Sequence, residues 1–203
     1  MSRVGPAEPA TVAFAVRRSL ADLLWVANTR HGPGGHWFVR VTADTGDHDH
    51  LSSAPDAVRY LVDHHVDVPP GEPGPRDLAA LVEIREMARG LVDQSAGWSP
   101  AARRILESTS YRIDSEFGLA AVGEGWSAFT RDLALPLLEL DRLRERLRIC
   151  GNPVCRLVFL DGSKSATRRW CDDAGCGNRH RVNRHRRGVA KDRPERDDAP
   201  GAD

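Results

Sequence analysis

The position of the four cysteines constrains the fold of this chain more than any other feature. All four lie between residues 150 and 176, in two C-x4-C pairs that are separated by fifteen residues. A chain of 203 residues, 40% of them hydrophobic, can build an apolar core without cross-links along its length. The clustered thiols therefore indicate one local site and exclude a small disulfide-stapled protein.

This spacing predicts one tetrahedral zinc site whose ligands are the four cysteines, Cys150, Cys155, Cys171 and Cys176. Zn²⁺ suits thiolates because it is a borderline-soft ion, and four sulfurs at about 2.3 Å close its coordination shell. A closed shell leaves no position for water or substrate, so we expect one structural Zn²⁺. Two disulfides or four unrelated buried thiols are the alternatives, and a reducing cytoplasm disfavours the disulfides.

The residues around the cysteines predict a treble-clef-like zinc finger. Leu157–Leu160 has the composition of a strand, Asp161–Ser163 that of a turn, and Asn178–Arg187 contains neither Pro nor Gly and is expected to be helical. A zinc knuckle, a hairpin and a helix whose first turn supplies the last ligand are typical of this finger. We interpret Trp170 and Phe159 as its small core, with base stacking as the alternative.

The finger segment resembles the CGNR zinc-finger family. The family's naming tetrapeptide stands here as Cys176-Gly177-Asn178-Arg179, preceded by Arg168-Arg169-Trp170-Cys171 and by Cys150-Gly-Asn-Pro-Val-Cys155. The resemblance covers about 40 residues. Two features depart from the family pattern, namely Thr167 and the acidic pair Asp172-Asp173, and they bear on the fine contacts with DNA.

The N-terminal part is similar to the ABATE-type domain that usually accompanies this finger. The resemblance rests on Leu23–Arg30 (LLWVANTR) and on the helix start at Ser53–Leu61. Together, the two resemblances imply a bacterial, actinobacterial regulator of transcription that is associated with stress and binds DNA through the finger. We expect the N-terminal domain to sense an unidentified small-molecule effector or to form a homodimer.

The charge of the chain is divided between its two ends, although the net charge is zero. Residues 1–149 carry 17 Arg and 21 acidic residues, whereas residues 150–188 carry nine basic residues and three acidic ones. Only two of the 29 basic residues are Lys, so part of the Arg content reflects a GC-rich genome. The local excess of positive charge points to an anionic partner, most often a nucleic acid.

We predict that seven arginines contact nucleic acid: Arg168, Arg169, Arg179, Arg181, Arg184, Arg186 and Arg187. On the last helix, Asn178, Val182 and His185 share one narrow sector that could pack, and the arginines cover the rest. DNA is the expected partner, since such a helix fits the major groove, which is about 12 Å wide. RNA, docking of the helix onto the acidic N-terminal domain, and a merely solvated face are the alternatives.

The remaining patterns predict a mainly α fold with a small β element. We expect three regions: a helical ABATE-like domain at 12–148, the finger at 149–190 and a disordered tail at 191–203. The expected helices are Val12–Thr29, one capped by Ser53, Asp77–Ser95, one from Ser99-Pro100 to Thr109, and Arg131–Leu147. The expected strands are His36–Thr42 and a hairpin of Tyr111–Phe117 with Trp126–Thr130.

The sequence also bears on location and activity. No stretch approaches the roughly 20 apolar residues of a membrane span, so we expect a cytoplasmic protein without a membrane partner. We expect no enzymatic activity, because no catalytic spacing is present. An N-terminal ligand-binding or enzymatic domain beside a purely structural finger is the alternative. A second metal site among His48, His50, His64 and His65 with nearby aspartates is disfavoured on the same ground.

Overall fold

The computed structural model describes residues 18–32, 48–92, 100–113 and 118–191. The helices in these ranges are α1 (Leu20–Ala27), α2 (Ala54–Asp63), α3 (Pro75–Gly90), α4 (Pro100–Glu107), α5 (Gly125–Asp132), α6 (Ala134–Arg142) and α7 (Asn178–Lys191). The strands are β1 (Arg30–His31), β2 (His48–Asp49), β3 (Tyr111–Ile113), β4 (Leu119–Ala121), β5 (Leu147–Ile149) and β6 (Val158–Leu160). The predicted fold class, mainly α with small β elements and a C-terminal finger, is confirmed.

The chain divides into two compact units. The helical unit comprises the described residues up to Thr29 and from His50 to Arg144. The finger unit comprises the described residues of 30–49 and those from Glu145 onward. Residues 30–32 and 48–49 therefore belong with the finger, although they lie far from it in sequence and within the N-terminal region that we predicted as one domain.

The helical unit is held by an apolar core. Helix α1 packs against α3 and α6, and α3 also contacts α4 and α5. The side chains that are almost fully buried are those of Leu23, Val26, Leu61, Leu81, Ile84, Leu91, Phe129, Leu133, Leu137 and Leu140. Burial of each large apolar side chain contributes about 1.5–3 kcal/mol, so we expect the packing of this set, and not a metal, to hold the helices together.

The helix starts of this unit follow local capping rules. The Ser53 side chain accepts a hydrogen bond from the Asp56 N–H, which confirms the predicted cap of α2. Ser19 and Asp22 form a reciprocal capping box at α1, which sequence reasoning missed. Helix α3 begins at Pro75 and ends at Gly90, earlier at both ends than the predicted Asp77–Ser95.

The predicted hairpin between Tyr111–Phe117 and Trp126–Thr130 is wrong in its second strand. Strand β3 instead pairs with β4, with Tyr111 opposite Ala121, and Trp126–Thr130 lies within α5. Two glycines in the left-handed region, Gly123 (φ 135°) and Gly125 (φ 61°), turn the chain from β4 into the helix. Residues 126, 129, 130 and 133 are all buried, which is the spacing of one helical face.

The predicted helix Arg131–Leu147 is confirmed only over Ala134–Arg142, and the expected place of Pro136 in its first turn is confirmed. Pro136 has no N–H for the Asp132 carbonyl, so α5, which ends at Asp132, cannot continue through it. After α6, a 3₁₀ turn covers Arg144–Arg146, and Leu147 begins strand β5. Leu147 is buried, and it lies opposite Leu160 of β6 in the strand pair and not on a helix.

Three predicted segments lie outside the described residues: part of the first helix (12–17), the strand His36–Thr42 and the tail after Lys191. Ser99, the predicted cap of α4, also lies outside them, and α4 itself ends at Glu107. None of the described helices combines the length and apolar content that a bilayer span requires.

Candidate metal centre and arginine helix

The four cysteine sulfurs lie together in the finger unit. All four Sγ atoms are within 4.8 Å of one another. The Sγ atom of Cys171 lies 3.7 Å from that of Cys155 and 3.8 Å from that of Cys176. A tetrahedron with metal–sulfur bonds of about 2.3 Å has edges of about 3.8 Å, whereas a disulfide requires about 2.05 Å. The geometry fits a tetrathiolate zinc centre and excludes the two-disulfide alternative.

Hydrogen bonds among the thiols of Cys150, Cys155 and Cys171 shift the pKa of each of them. Hydrogen bonds from the thiols of Cys155 and Cys171 lower the pKa of Cys150, and the same contact with Cys150 raises the pKa of Cys155. Four adjacent thiolates are not tolerated without a cation, because each disfavours ionisation of the next. Zn²⁺ would take the place of the shared protons, so metal binding releases protons and stabilises the fold of this region.

The first pair of ligands sits on the turn between β5 and β6. The Cys150 N–H donates to the Leu157 carbonyl at 2.8 Å, and the Cys155 N–H donates to the Asn152 carbonyl at 2.9 Å. The buried Asn152 side chain accepts from the Val154 N–H and donates to the Cys176 sulfur at 3.5 Å. Asn152 therefore links the first pair of ligands to Cys176 of the second pair. Its position between Cys150 and Cys155 was the only signal in the sequence for this role.

The second pair of ligands is joined by a π turn, Asp173–Gly177, that leads into α7. The Asp172 carboxylate caps this turn by accepting from the Ala174 N–H at 3.3 Å and the Gly175 N–H at 2.6 Å. The acidic residue that departs from the family pattern thus has a structural partner within the finger. The capping role of Asp172 explains this residue without a contact to DNA.

Trp170 closes the finger by packing between two glycines. A Cβ on Gly151 would lie 3.2 Å from the Trp170 ring, and one on Gly177 would lie 3.0 Å from it and 2.5 Å from Asp173 Oδ1. The core of the finger comprises Cys150, Cys155, Leu157, Phe159 and Cys176, with Trp170 and Cys171 packed against it. This confirms the core assignment of Trp170 and Phe159.

Asp161 organises the loop that carries the chain from β6 towards Cys171. Its carboxylate is fully buried and accepts from the Ser163 N–H at 2.9 Å and the Arg168 N–H at 2.7 Å. Hydrogen bonding to Ser163, with a smaller contribution from the Arg168 N–H, holds the pKa of Asp161 below its usual value. Sequence analysis assigned this residue only to a turn.

Residues 30–32 also contact the knuckle that carries the first two ligands. The Gly32 N–H donates to the Cys155 carbonyl at 3.3 Å, and β1 pairs with β2 so that Arg30 lies opposite Asp49. A Cβ on Gly32 would lie 2.8 Å from the Val154 carbonyl oxygen, so the contact requires glycine. No sequence motif indicated this contact.

The predicted nucleic-acid arginines fall into two groups. Three have partners within the finger. The Arg168 side chain donates to the Cys171 carbonyl at 2.8 Å and lies over Phe159, while the Arg169 guanidinium lies 5.5 Å from the Trp170 ring centre. Arg181 forms an ion pair with Asp173 at 3.1 Å.

The other arginines lie along α7. Arg184 and Arg186 are exposed, Arg179 is half-buried, and none of the three forms an ion pair within the part of the chain that the structure describes. Arg187 belongs to the helix, but its side chain lies outside the described residues.

The predicted packing sector of this helix is wrong. Asn178, Val182 and His185 are all exposed, and Val182 retains 39% of its accessible surface. Instead, the helix meets the finger through the His180 ring, whose centre lies 4.7 Å from that of Trp170. Apolar periodicity does not predict the orientation of this helix, because the helix is held at its N-terminal end, where the π turn that contains Cys176 runs into Asn178. As a result, residues 180–186 of the helix are all exposed to solvent.

The histidines that could have formed a second metal site are His48, His50, His64 and His65. Within the described ranges, only the four cysteines form a group with metal-binding geometry. His50 and His64 instead contact the ring of Tyr60, with centres 4.4 and 4.2 Å away.

Two family models match the chain. Residues 24–131 match ABATE, described as "Putative stress-induced transcription regulator", and residues 146–187 match the CGNR zinc finger. Both resemblances inferred from sequence are thereby confirmed. The comparison with curated proteins finds no match. The second family and the sulfur geometry agree on one structural Zn²⁺ held by Cys150, Cys155, Cys171 and Cys176.

Proposed function

This chain belongs to the ABATE family and carries a CGNR zinc finger, and from that premise we propose that it regulates transcription by binding DNA through the finger. The observation that carries the proposal is the open, arginine-bearing helix α7, which follows directly after the last zinc ligand. The proposal assigns no catalytic step to the chain.

Bound zinc would not contact α7 directly, but it would fix the turn from which the helix starts. Cys176 lies within the π turn that runs into Asn178, so a bound metal orients the helix relative to the β5–β6 hairpin. A helix of 14 residues is about 21 Å long and can lie in a DNA major groove. Preorganisation of this kind reduces the entropy that binding must overcome.

The partners of the arginines suggest different roles in binding. Arg168 and Arg181 are used within the finger, so we assign them to positioning and not to direct contact. Arg184 and Arg186 are exposed and can reach phosphates or guanine edges. Arg179, half-buried in the first turn of α7, is the candidate for base reading, because the N-terminal part of a recognition helix reaches deepest.

Binding to genomic DNA fragments at increasing salt concentration tests the proposal. If three or four arginines neutralise phosphates, the logarithm of affinity should fall against the logarithm of salt concentration with a slope of about −3 to −4. Fluorescence anisotropy with the zinc-loaded full chain measures this slope. Arg186→Ala should reduce its magnitude by about one, and Arg142→Ala, which removes an exposed arginine from α6, should leave it unchanged.

The same assay separates DNA from the alternatives. Stronger competition by RNA than by duplex DNA would make RNA the partner. Affinity that does not depend on salt, or an Arg184→Ala/Arg186→Ala variant that binds DNA as the native chain does, would refute the proposed role of α7. Dimerisation through the helical unit and a cytoplasmic location stay predictions, and light scattering of the purified protein tests the first.

A further inference from the structure

The helical unit contains a pocket that the proposed DNA binding does not use. Its volume is about 330 Å³, which is within the range of small-molecule sites. The walls come from the loop before α3, from β3 and from the start of α5, and every lining residue belongs to this unit. Phe129 and Ala128 provide an apolar floor, and both are buried.

Asp132 is the chemically distinctive group of this pocket. Only 3% of its surface is exposed, and its Oδ1 accepts from the Ala121 N–H at 2.5 Å. Within the described part of the chain, this carboxylate forms no ion pair. A buried carboxylate is costly unless a cation or further donors compensate it, so the pocket favours a ligand that brings a positively charged group.

Positive charge lies elsewhere on the same pocket wall. Arg112 projects from β3 at the exposed rim and forms no ion pair within the described residues. Arg18 is buried, lies over the Phe129 ring and forms an ion pair of 3.9 Å with Asp67, which also lines the pocket. Helix α5 begins at Gly125 in the wall, where the carboxylate of its N-cap Glu124 offsets the positive end of the helix dipole, so Arg112 is the lining cation without a carboxylate partner among the described residues.

We propose that this pocket binds a small zwitterionic metabolite of the amino-acid class. Its ammonium group would pair with Asp132, and its carboxylate would lie towards Arg112. A molecule with a single charge would satisfy only one of these groups. This inference is independent of the proposed DNA binding, since no residue of the finger contributes to the pocket.

Nuclear magnetic resonance titration of the zinc-loaded full chain tests the inference. The probes are the common α-amino acids together with 4-aminobutyrate, and butylamine and butyrate serve as single-charge analogues. The reporter is the Ala121 amide, because its N–H donates to Asp132. We expect at least one zwitterion to shift this amide with saturation and to bind at least about tenfold more tightly than either analogue, a difference of about 1.4 kcal/mol.

Two variants and two controls complete the test. Asp132→Asn keeps the oxygen that accepts from Ala121 but removes the charge, and it should weaken binding about tenfold or more, as should Arg112→Gln. Glu139→Gln and Arg103→Gln neutralise exposed charges outside the pocket and should leave binding unchanged. No Ala121 shift with any zwitterion at about 10 mM, equal binding of the analogues, or unaltered binding by Asp132→Asn would overturn the proposal.

Discussion

The helical unit and the finger unit are held together by different physical means. Of the described residues, ten large apolar side chains are almost fully buried in the helical unit, whereas the finger unit has only two, Leu147 and Val158, beside a core of cysteines with one Phe, one Leu and one Trp. In the finger, backbone N–H groups that donate to the Asp161 and Asp172 carboxylates, and the Asn152 amide that donates to the Cys176 sulfur, order much of the chain. Removal of the metal should therefore unfold the finger unit and leave the helical unit folded.

Loss of one zinc ligand should have the largest effect. We expect Cys176→Ser to release the metal and to unfold the finger, because structural zinc in isolated finger peptides contributes about 10–16 kcal/mol. The zinc content, measured by metal analysis, should fall from one ion per chain towards none. Trypsin should then cleave the arginine-rich region after Arg148 rapidly, while the α-helical circular dichroism of the helical unit persists.

Chelation of zinc from the native chain is the matched experiment. It should reproduce the cleavage pattern of Cys176→Ser, and re-addition of zinc should reverse it. If the finger resists the protease without metal, the claim that the finger, unlike the helical unit, needs zinc to fold would be contradicted.

A substitution that creates a cavity in the helical unit should destabilise that unit and leave the zinc content unchanged. Leu137 is 1% exposed on α6, so Leu137→Ala should lower the free energy of unfolding by about 2–5 kcal/mol. Zinc content should remain at one ion per chain. Leu138→Ala, on the same helix at a position that is 40% exposed, provides the control and should change stability little. Zinc loss from Leu137→Ala would show that the two units do not fold independently.

A smaller effect should follow from filling the space beside Trp170. In Gly177→Ala, the new methyl group would meet Asp173 Oδ1 at 2.5 Å and Trp170 at 3.0 Å, so the π turn or the ring must shift. We expect a cost of about 1–3 kcal/mol, seen as weaker zinc binding in a competition titration with a chromogenic chelator. Gly162→Ala is the matched control, because no atom lies within 4 Å of its added Cβ. Equal zinc affinity of the two variants would contradict the described packing.

The sequence predicted the metal centre better than the helical unit, for a physical reason. Zinc ligands must converge on one point, so spacing alone places Cys150, Cys155, Cys171 and Cys176 together. The segment Trp126–Thr130 has aromatic and β-branched residues that favour strands, but its burial in the core follows a helical period. Local composition could not show that tertiary packing would decide the outcome.

Other features were hidden because they depend on contacts between distant segments. Leu147 becomes a strand residue only when Leu160 lies opposite it, and Gly32 joins the knuckle across more than 120 positions of sequence. The roles of Asp172 and Asp173 depend on the π turn, which no pattern in the sequence announced. The arginines themselves were visible, but their division into structural and exposed groups required their partners.

DNA affinity measured as a function of zinc occupancy tests the central claim most directly. The zinc-loaded full chain, samples partly depleted by chelation, and a fully re-loaded sample are titrated against the same labelled genomic fragments at one salt concentration. The account predicts that binding falls in proportion to zinc content and returns on re-loading, while the helical circular dichroism of the first unit stays constant. Equal DNA affinity of the metal-free chain, with its finger unfolded, would contradict the claim that zinc fixes α7 for binding.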